Sequence, residues 1–165
     1  MGSDCWPLIY DASYSHLSLK RSISLGQTIP TIPDVVDAVV VVFRRNGELL
    51  MGLRSGGTGQ GTWGFVGGKV EPGESIEAAA IRETSEEVGV GVQNLRWLHT
   101  SFDYRPENRS WYRVFFLSAG SFEGEPEIRE PHKMHGLGWF GLNQLPEPMF
   151  PSNKEFIEKV LRKVE

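Results

Sequence analysis

The chain has 165 residues, of which 39% are hydrophobic and 23% charged, and its net charge is −4. That length suits one domain, or one domain with an arm, and that composition excludes a disordered polypeptide. The acidic balance excludes a global basic field for a nucleic-acid polymer, the single cysteine (Cys5) excludes an internal disulfide, and no apolar run approaches the ~20 residues that span a bilayer.

Residues 1–33 are rich in serine and end in Pro30 and Pro33. They read as an N-terminal arm that packs on the domain or on a second copy, which makes a homodimer an expectation, with a serine-rich, acidic-poor transit peptide as the alternative. The start lacks the charged-then-apolar order of a secretory signal. With one cysteine and no membrane span, the expected location is cytoplasmic. The domain is expected over residues 34–165.

Val35 to Phe43 is a β-branched run and predicts a buried strand. Asn46-Gly47 is a hairpin turn signal, with Glu48 to Arg54 returning as the second strand. Ser55 to Thr62 carries Gly56, Gly57, Gly59 and Gly61 and predicts a mobile loop. Trp63 to Val66 reads as a short strand ending at Gly67-Gly68. After the turn at residues 71–74, Ser75 is placed to N-cap a helix from Ile76 to about Val88, closed by Gly89. Leu95 to Tyr104 and Ser110 to Leu117 read as paired strands, Ser121 to Gly136 as a loop, and Leu137 to Phe140 as a strand. Asn153 to Val164 reads as an amphipathic helix.

The informative stretch is residues 68–90. On its helix Glu83, Glu86 and Glu87 stand at i, i+3 and i+4, so their carboxylates share a face. Ile81, Thr84 and Val88 are expected on another face, packed on the sheet. Like charges that close repel, and a hard divalent cation relieves the repulsion, with oxygen ligands suiting Mg²⁺ or Mn²⁺. Gly67-Gly68 allows a close backbone approach. Arg82 can pair with a carboxylate or a phosphate.

Gly68-Lys69-Val70-Glu71-Pro72-Gly73-Glu74, seven residues, then Arg82-Glu83-Thr84-Ser85-Glu86-Glu87-Val88-Gly89-Val90 resembles the box of the Nudix (MutT-like) hydrolase superfamily. Every fixed position of that box matches, and a chance match is of order 10⁻⁸ per start position. Thr84 stands at an apolar position of the box, and Val66 where many members have proline. The resemblance implies an α/β protein, a Nudix-type α/β/α sandwich with a mixed sheet. It also implies a pyrophosphohydrolase that cleaves a nucleoside diphosphate linked to another moiety, with Mg²⁺ as cofactor and Mn²⁺ as substitute. By the same resemblance Glu83 and Glu87 are metal ligands, Glu86 a ligand or water-activating base, and Gly68 a backbone-carbonyl ligand. Arg82 would orient Glu83, and Glu74 would support the loop–helix junction on the substrate side.

Among loop acids after the box, Glu130 is the expected further base. Arg54, at the end of the second strand, is expected to grip phosphate, with Arg105, Arg109 and Arg113 as further cations around the later hairpin. The loops are similar to those of members acting on nucleoside triphosphates, so a (deoxy)nucleoside triphosphate is the expected small-molecule substrate. Nucleotide sugars of the GDP-mannose or ADP-ribose type, and a non-catalytic nucleotide-binding module, are the alternatives.

Overall fold

The computed structural model describes residues 25, 26, 28 and 35–163. In chain order the elements are β1 (Val35–Val42), β2 (Arg44–Arg45), β3 (Glu48–Arg54), β4 (Trp63–Gly64), β5 (Val66–Lys69), α1 (Ile76–Val88), β6 (Gly91–Gln93) and β7 (Arg96–Arg105). They continue with β8 (Ser110–Ser118), β9 (Ser121–Glu123), β10 (Met134–Gly141), α2 (Pro151–Lys159) and a 3-10 turn, Leu161–Lys163.

β1 is the hub. It pairs antiparallel with β5 and parallel with β8, giving a mixed sheet in the order β5-β1-β8-β7. Side chains alternate across a strand, and both faces of this one are apolar. Val39, Val41, Phe115 and Leu117 pack with Ile76, Ala79, Ala80 and Val88 of α1. Ala38, Val42, Val114 and Phe116 pack on the other side with Phe156 and Ile157 of α2. The sheet therefore lies between two helices, as an α/β sandwich requires. The Phe116 and Phe156 rings stack at 4.3 Å, and burying one such side chain contributes roughly 1.5–3 kcal/mol. A second, antiparallel sheet runs β10-β3-β2, with β4 on β3.

The turn at Asn46-Gly47 has φ of 53° and 80°, which is the type I′ geometry that matches strand twist. Three segments differ from the sequence reading. Gly67 and Gly68 lie inside β5 rather than after a strand, because their backbones pair with Val40 and Val39. Ser121 to Glu123 is a strand, not loop, paired with β6 about thirty residues earlier in the chain. α2 begins at Pro151, whose fixed φ suits a first helical turn, and gives way to the 3-10 turn, while Val164 lies outside the described residues. The arm also lies outside them, except at its end. There the Leu25 carbonyl accepts the Glu77 N–H at 3.1 Å and Thr28 bridges Ser75.

Gly67 has φ of 155°, and a β-carbon there would stand 2.1 Å from the Val39 carbonyl oxygen. Neither the conformation nor the backbone contact can relax cheaply. Gly67→Ala is expected to cost at least about 3 kcal/mol in urea unfolding at unchanged m-value.

Candidate active site

The site is built on α1. Ser75 caps it, its side chain accepting the Ala78 N–H at 3.1 Å, and Gly89 closes it in the left-handed conformation at φ 69°. The buried stripe of α1 is Ile76, Ala79, Ala80, Glu83, Thr84, Glu87 and Val88. That is a regular core-facing spacing, yet two of its positions hold glutamates. Glu83 is 6% exposed and Glu87 8%. The side chain of Glu86 stays half-exposed on the rim, so the three carboxylates do not share one environment. Thr84 is fully buried and satisfied, its hydroxyl donating to the Ala80 carbonyl at 2.9 Å. Ile81 is exposed rather than packed on the sheet, because it falls outside the stripe.

β5 lies directly against these acids. Gly67 N–H donates to Glu87 Oε2 at 3.1 Å. At Gly68 a β-carbon would stand 2.2 Å from the Glu83 carboxylate, so the glycine leaves the space that the acid fills. Arg82 ties the group together. Its guanidinium donates to both Glu74 oxygens and to the Lys69 carbonyl at 2.9 Å, and to Glu83 Oε1 at 2.8 Å. Glu74 also accepts the Glu71 N–H at 2.9 Å. The Arg82 bond holds the Glu74 carboxyl below its usual range, and the Glu74 bond holds the Arg82 charge more firmly than usual. A substrate contact at Glu74 would have to share those bonds.

Burial pushes the Glu87 carboxyl up to about 7, and the neighbouring Glu83 adds to the rise. A carboxylate with that cost gains most from a nearby cation. Among the described residues no three carboxylate or imidazole side chains close on one point. Glu83 and Glu87 set carboxylate oxygens beside the glycines of β5, and oxygen donors of that kind fit a hard divalent cation such as Mg²⁺.

The loop before β10 is fastened to the end of α1. Arg129 N–H bonds the Glu87 carbonyl at 2.9 Å and Glu127 N–H the Val88 carbonyl at 3.0 Å. This brings in Glu130, paired with Lys133 at 2.7 Å. The Glu130 bond raises the Lys133 pKa, and Glu83 and Glu87 act on it in the same sense. Lys133 is a charge by the cluster that the sequence reading did not single out. Arg54 also reaches the cluster: burial lowers its pKa, and the charge of Glu87 opposes that. Arg113 is locked to Asp37 at 2.6 Å across β1 and β8, and Arg109 sits in the exposed hairpin turn.

A family model described as NUDIX domain matches residues 33–160. The chain belongs to the Nudix family. It is 34% identical over 120 residues to an oxidized purine nucleoside triphosphate hydrolase of Mus musculus, covering 70% of this chain and 73% of that one. It is 32% identical over 117 residues to the NAD-capped RNA hydrolase NudC of Chromobacterium violaceum, and there the chain spans only 41% of the relative. Among solved structures, the MutT NUDIX hydrolase from Burkholderia pseudomallei superposes with a TM-score of 0.73 at 30% identity, over 76% of this chain and 98% of that one. The Nudix relatives are hydrolases of nucleotide phosphoric anhydrides, and this chain is a hydrolase of that class. A divalent metal is a general requirement of Nudix hydrolases, and the oxygen set on α1 and β5 suits one. No helix of the described residues is long and apolar enough to cross a membrane.

Proposed function

We propose that the chain is a Mg²⁺-dependent pyrophosphohydrolase whose substrate is a (deoxy)nucleoside triphosphate. The observation that carries this reading is the burial of Glu83 and Glu87 in the core stripe of α1, facing the glycines of β5. Glu83 has Arg82 as its partner, but a buried acid such as Glu87, with no cation bonded to it among the described residues, costs stability, so a chain that places it there uses it. The relatives named for oxidized purine nucleoside triphosphates, at 33% and 34% identity, favour a triphosphate. The NudC relatives extend well beyond the matched region, and a capped polymer is not part of the reading.

Glu83, Glu87 and the Gly68 carbonyl would hold the cation, with Glu86 on the rim as a further ligand. When bound, it would offset phosphate charge and make water a better nucleophile near neutral pH. Arg82 fixes the Glu83 carboxylate and keeps Glu74 folded under the loop. Arg54 supplies positive charge for the phosphates. Hydrolysis breaks one P–O bond of the anhydride, and water gives its hydroxyl to phosphorus and a proton to a base. Glu86, exposed at the rim, or Glu130, across the loop beside Lys133, would accept that proton. The cytoplasmic location and the homodimer expected from the sequence belong to this reading too.

A hydrolysis panel tests it. Nucleoside triphosphates, canonical and oxidised, are compared with ADP-ribose and GDP-mannose, with and without Mg²⁺, and products are identified by mass. Monophosphate plus pyrophosphate from a triphosphate is the expected result. Two phosphorylated fragments from a sugar nucleotide alone would move the assignment to that substrate class. Nucleotide binding with no turnover would leave a binding module.

A further inference from the structure

Two guanidiniums meet at one ring beyond the carboxylate cluster. Arg54 and Arg105 each lie 5.1 Å from the centre of Phe150, and Arg105 also lies 3.6 Å from the centre of Tyr112. Arg54 is engaged, its Nε donating to the Thr58 carbonyl at 3.0 Å. Arg105 is not engaged in the same way. Its Nε is buried and has no hydrogen-bond partner among the described residues. A buried N–H without an acceptor costs stability and is rare, which marks it as a donor kept for something else.

The groups around it are also polar. Asp103 lies two residues back on the same face of β7. Burial raises its carboxyl pKa, while Ser101, Ser152 and the Arg105 charge oppose the rise. Ser101 Oγ is 3.3 Å from Asp103 Oδ2. Ser152, in the first turn of α2, has a buried hydroxyl without a well-formed bond among the described residues. A donor, an acceptor and a hydroxyl thus gather where β7 meets the start of α2.

This group is tied to the cluster on α1. Phe150 N–H donates to the Trp63 carbonyl at 2.8 Å, and Asn153 Oδ1 accepts the Phe65 N–H at 2.9 Å. Two residues further on, Gly67 meets Glu87. A nucleotide with its phosphates at the cluster and Arg54 has its other end free to extend toward Arg105.

We propose that Arg105 is a specificity-determining residue that, with Asp103, reads the polar edge of the substrate's base and favours a purine bearing a ring carbonyl next to an N–H. The inference rests on the nucleotide reading above. A guanidinium fork donates to a ring carbonyl and an adjacent ring nitrogen, as Arg does to guanine. The Asp103 carboxylate accepts from a ring N–H. Adenine offers an amino donor where Arg105 needs an acceptor, and leaves the guanidinium unpaired.

The test compares wild type with R105A, R105K and D103N. Equilibrium binding of GMP, IMP and AMP is measured without metal, and hydrolysis of GTP, ITP and ATP with Mg²⁺. Wild type should bind GMP and IMP at least about tenfold tighter than AMP. R105A should lose that preference, and R105K should lose it too, because it keeps the charge but not the fork. In hydrolysis the loss should fall mainly on KM. Circular dichroism and thermal melts establish that the variants fold, and R105K stands in if R105A does not. An unchanged base ranking in R105A or R105K overturns the proposal. So does an equal loss on every base, which is the mark of packing on Tyr112, and so does a wild type that prefers AMP or binds none of the three. If wild type hydrolyses no nucleotide, the proposed reaction fails, and the metal-free binding order still decides the role of Arg105.

Discussion

Glu87→Gln should lower turnover of the nucleotide substrate by about 10³-fold while the variant still folds. The glutamine keeps the shape of the side chain and an oxygen for the Gly67 N–H, now 3.1 Å from Glu87 Oε2. It removes the charge. In a cluster where Arg82 already engages Glu83 and Glu74, Glu87 is the acid with no cationic hydrogen-bond partner among the described residues, so its charge is the one most available to a divalent cation. Single-turnover and steady-state rates with Mg²⁺ measure the loss, and circular dichroism checks the fold. A variant with more than a tenth of wild-type turnover would show that Glu87 does not serve the chemistry.

The second large effect is on stability, and its sign follows from burial. Glu87 titrates at about 7 in the fold against an ordinary 4.5. Below pH 4.5 the group is protonated in both folded and unfolded chains, and the fold suffers no penalty. Between pH 4.5 and 7 the unfolded chain ionises this group while the folded chain holds its proton, so stability falls by up to about 3 kcal/mol and levels off above 7, where the buried acid is ionised too. Metal-free protein should therefore lose about 10 °C in Tm between pH 5 and 8. Glu87→Gln should lose much less, and should be the more stable protein at pH 8. A divalent cation binds the ionised form, so Mg²⁺ should raise Tm at pH 8 and do little at pH 5. Melting curves at several pH values, with Mg²⁺ or with EDTA, measure all of this. Equal slopes for wild type and Glu87→Gln would remove Glu87 as the cause.

These two effects have one source. Glu83 and Glu87 occupy positions of α1 that its own spacing reserves for the core. The stretch from Ile76 repeats every three or four residues, and read as a buried stripe it already contains both acids. That signal is present in the sequence, where the row Ile81, Thr84 and Val88 shares its last two residues with the stripe. Ile81 proved exposed, and the stripe runs through the glutamates.

Local rules determined much of this protein from sequence alone. Asn46-Gly47, Ser75 and Gly89 act through their own backbones and near neighbours, so their turn and helix ends were legible. The β-branched run of β1 and the box over residues 68–90 were legible for the same reason: each is contiguous, and each carries its chemistry within a few turns of chain. What only the tertiary structure decided depends on residues far apart in sequence. The β9 strand exists because β6 is beside it. Arg113 is a structural cation because Asp37 stands across from it in register. Lys133 joins the cluster because the loop before β10 bonds the last carbonyls of α1. Arg105 meets Arg54 because Phe150 lies between β7 and the glycine loop. A side chain's partner across such distances is set by the closed fold, since no local propensity encodes which strand or loop comes to rest against it.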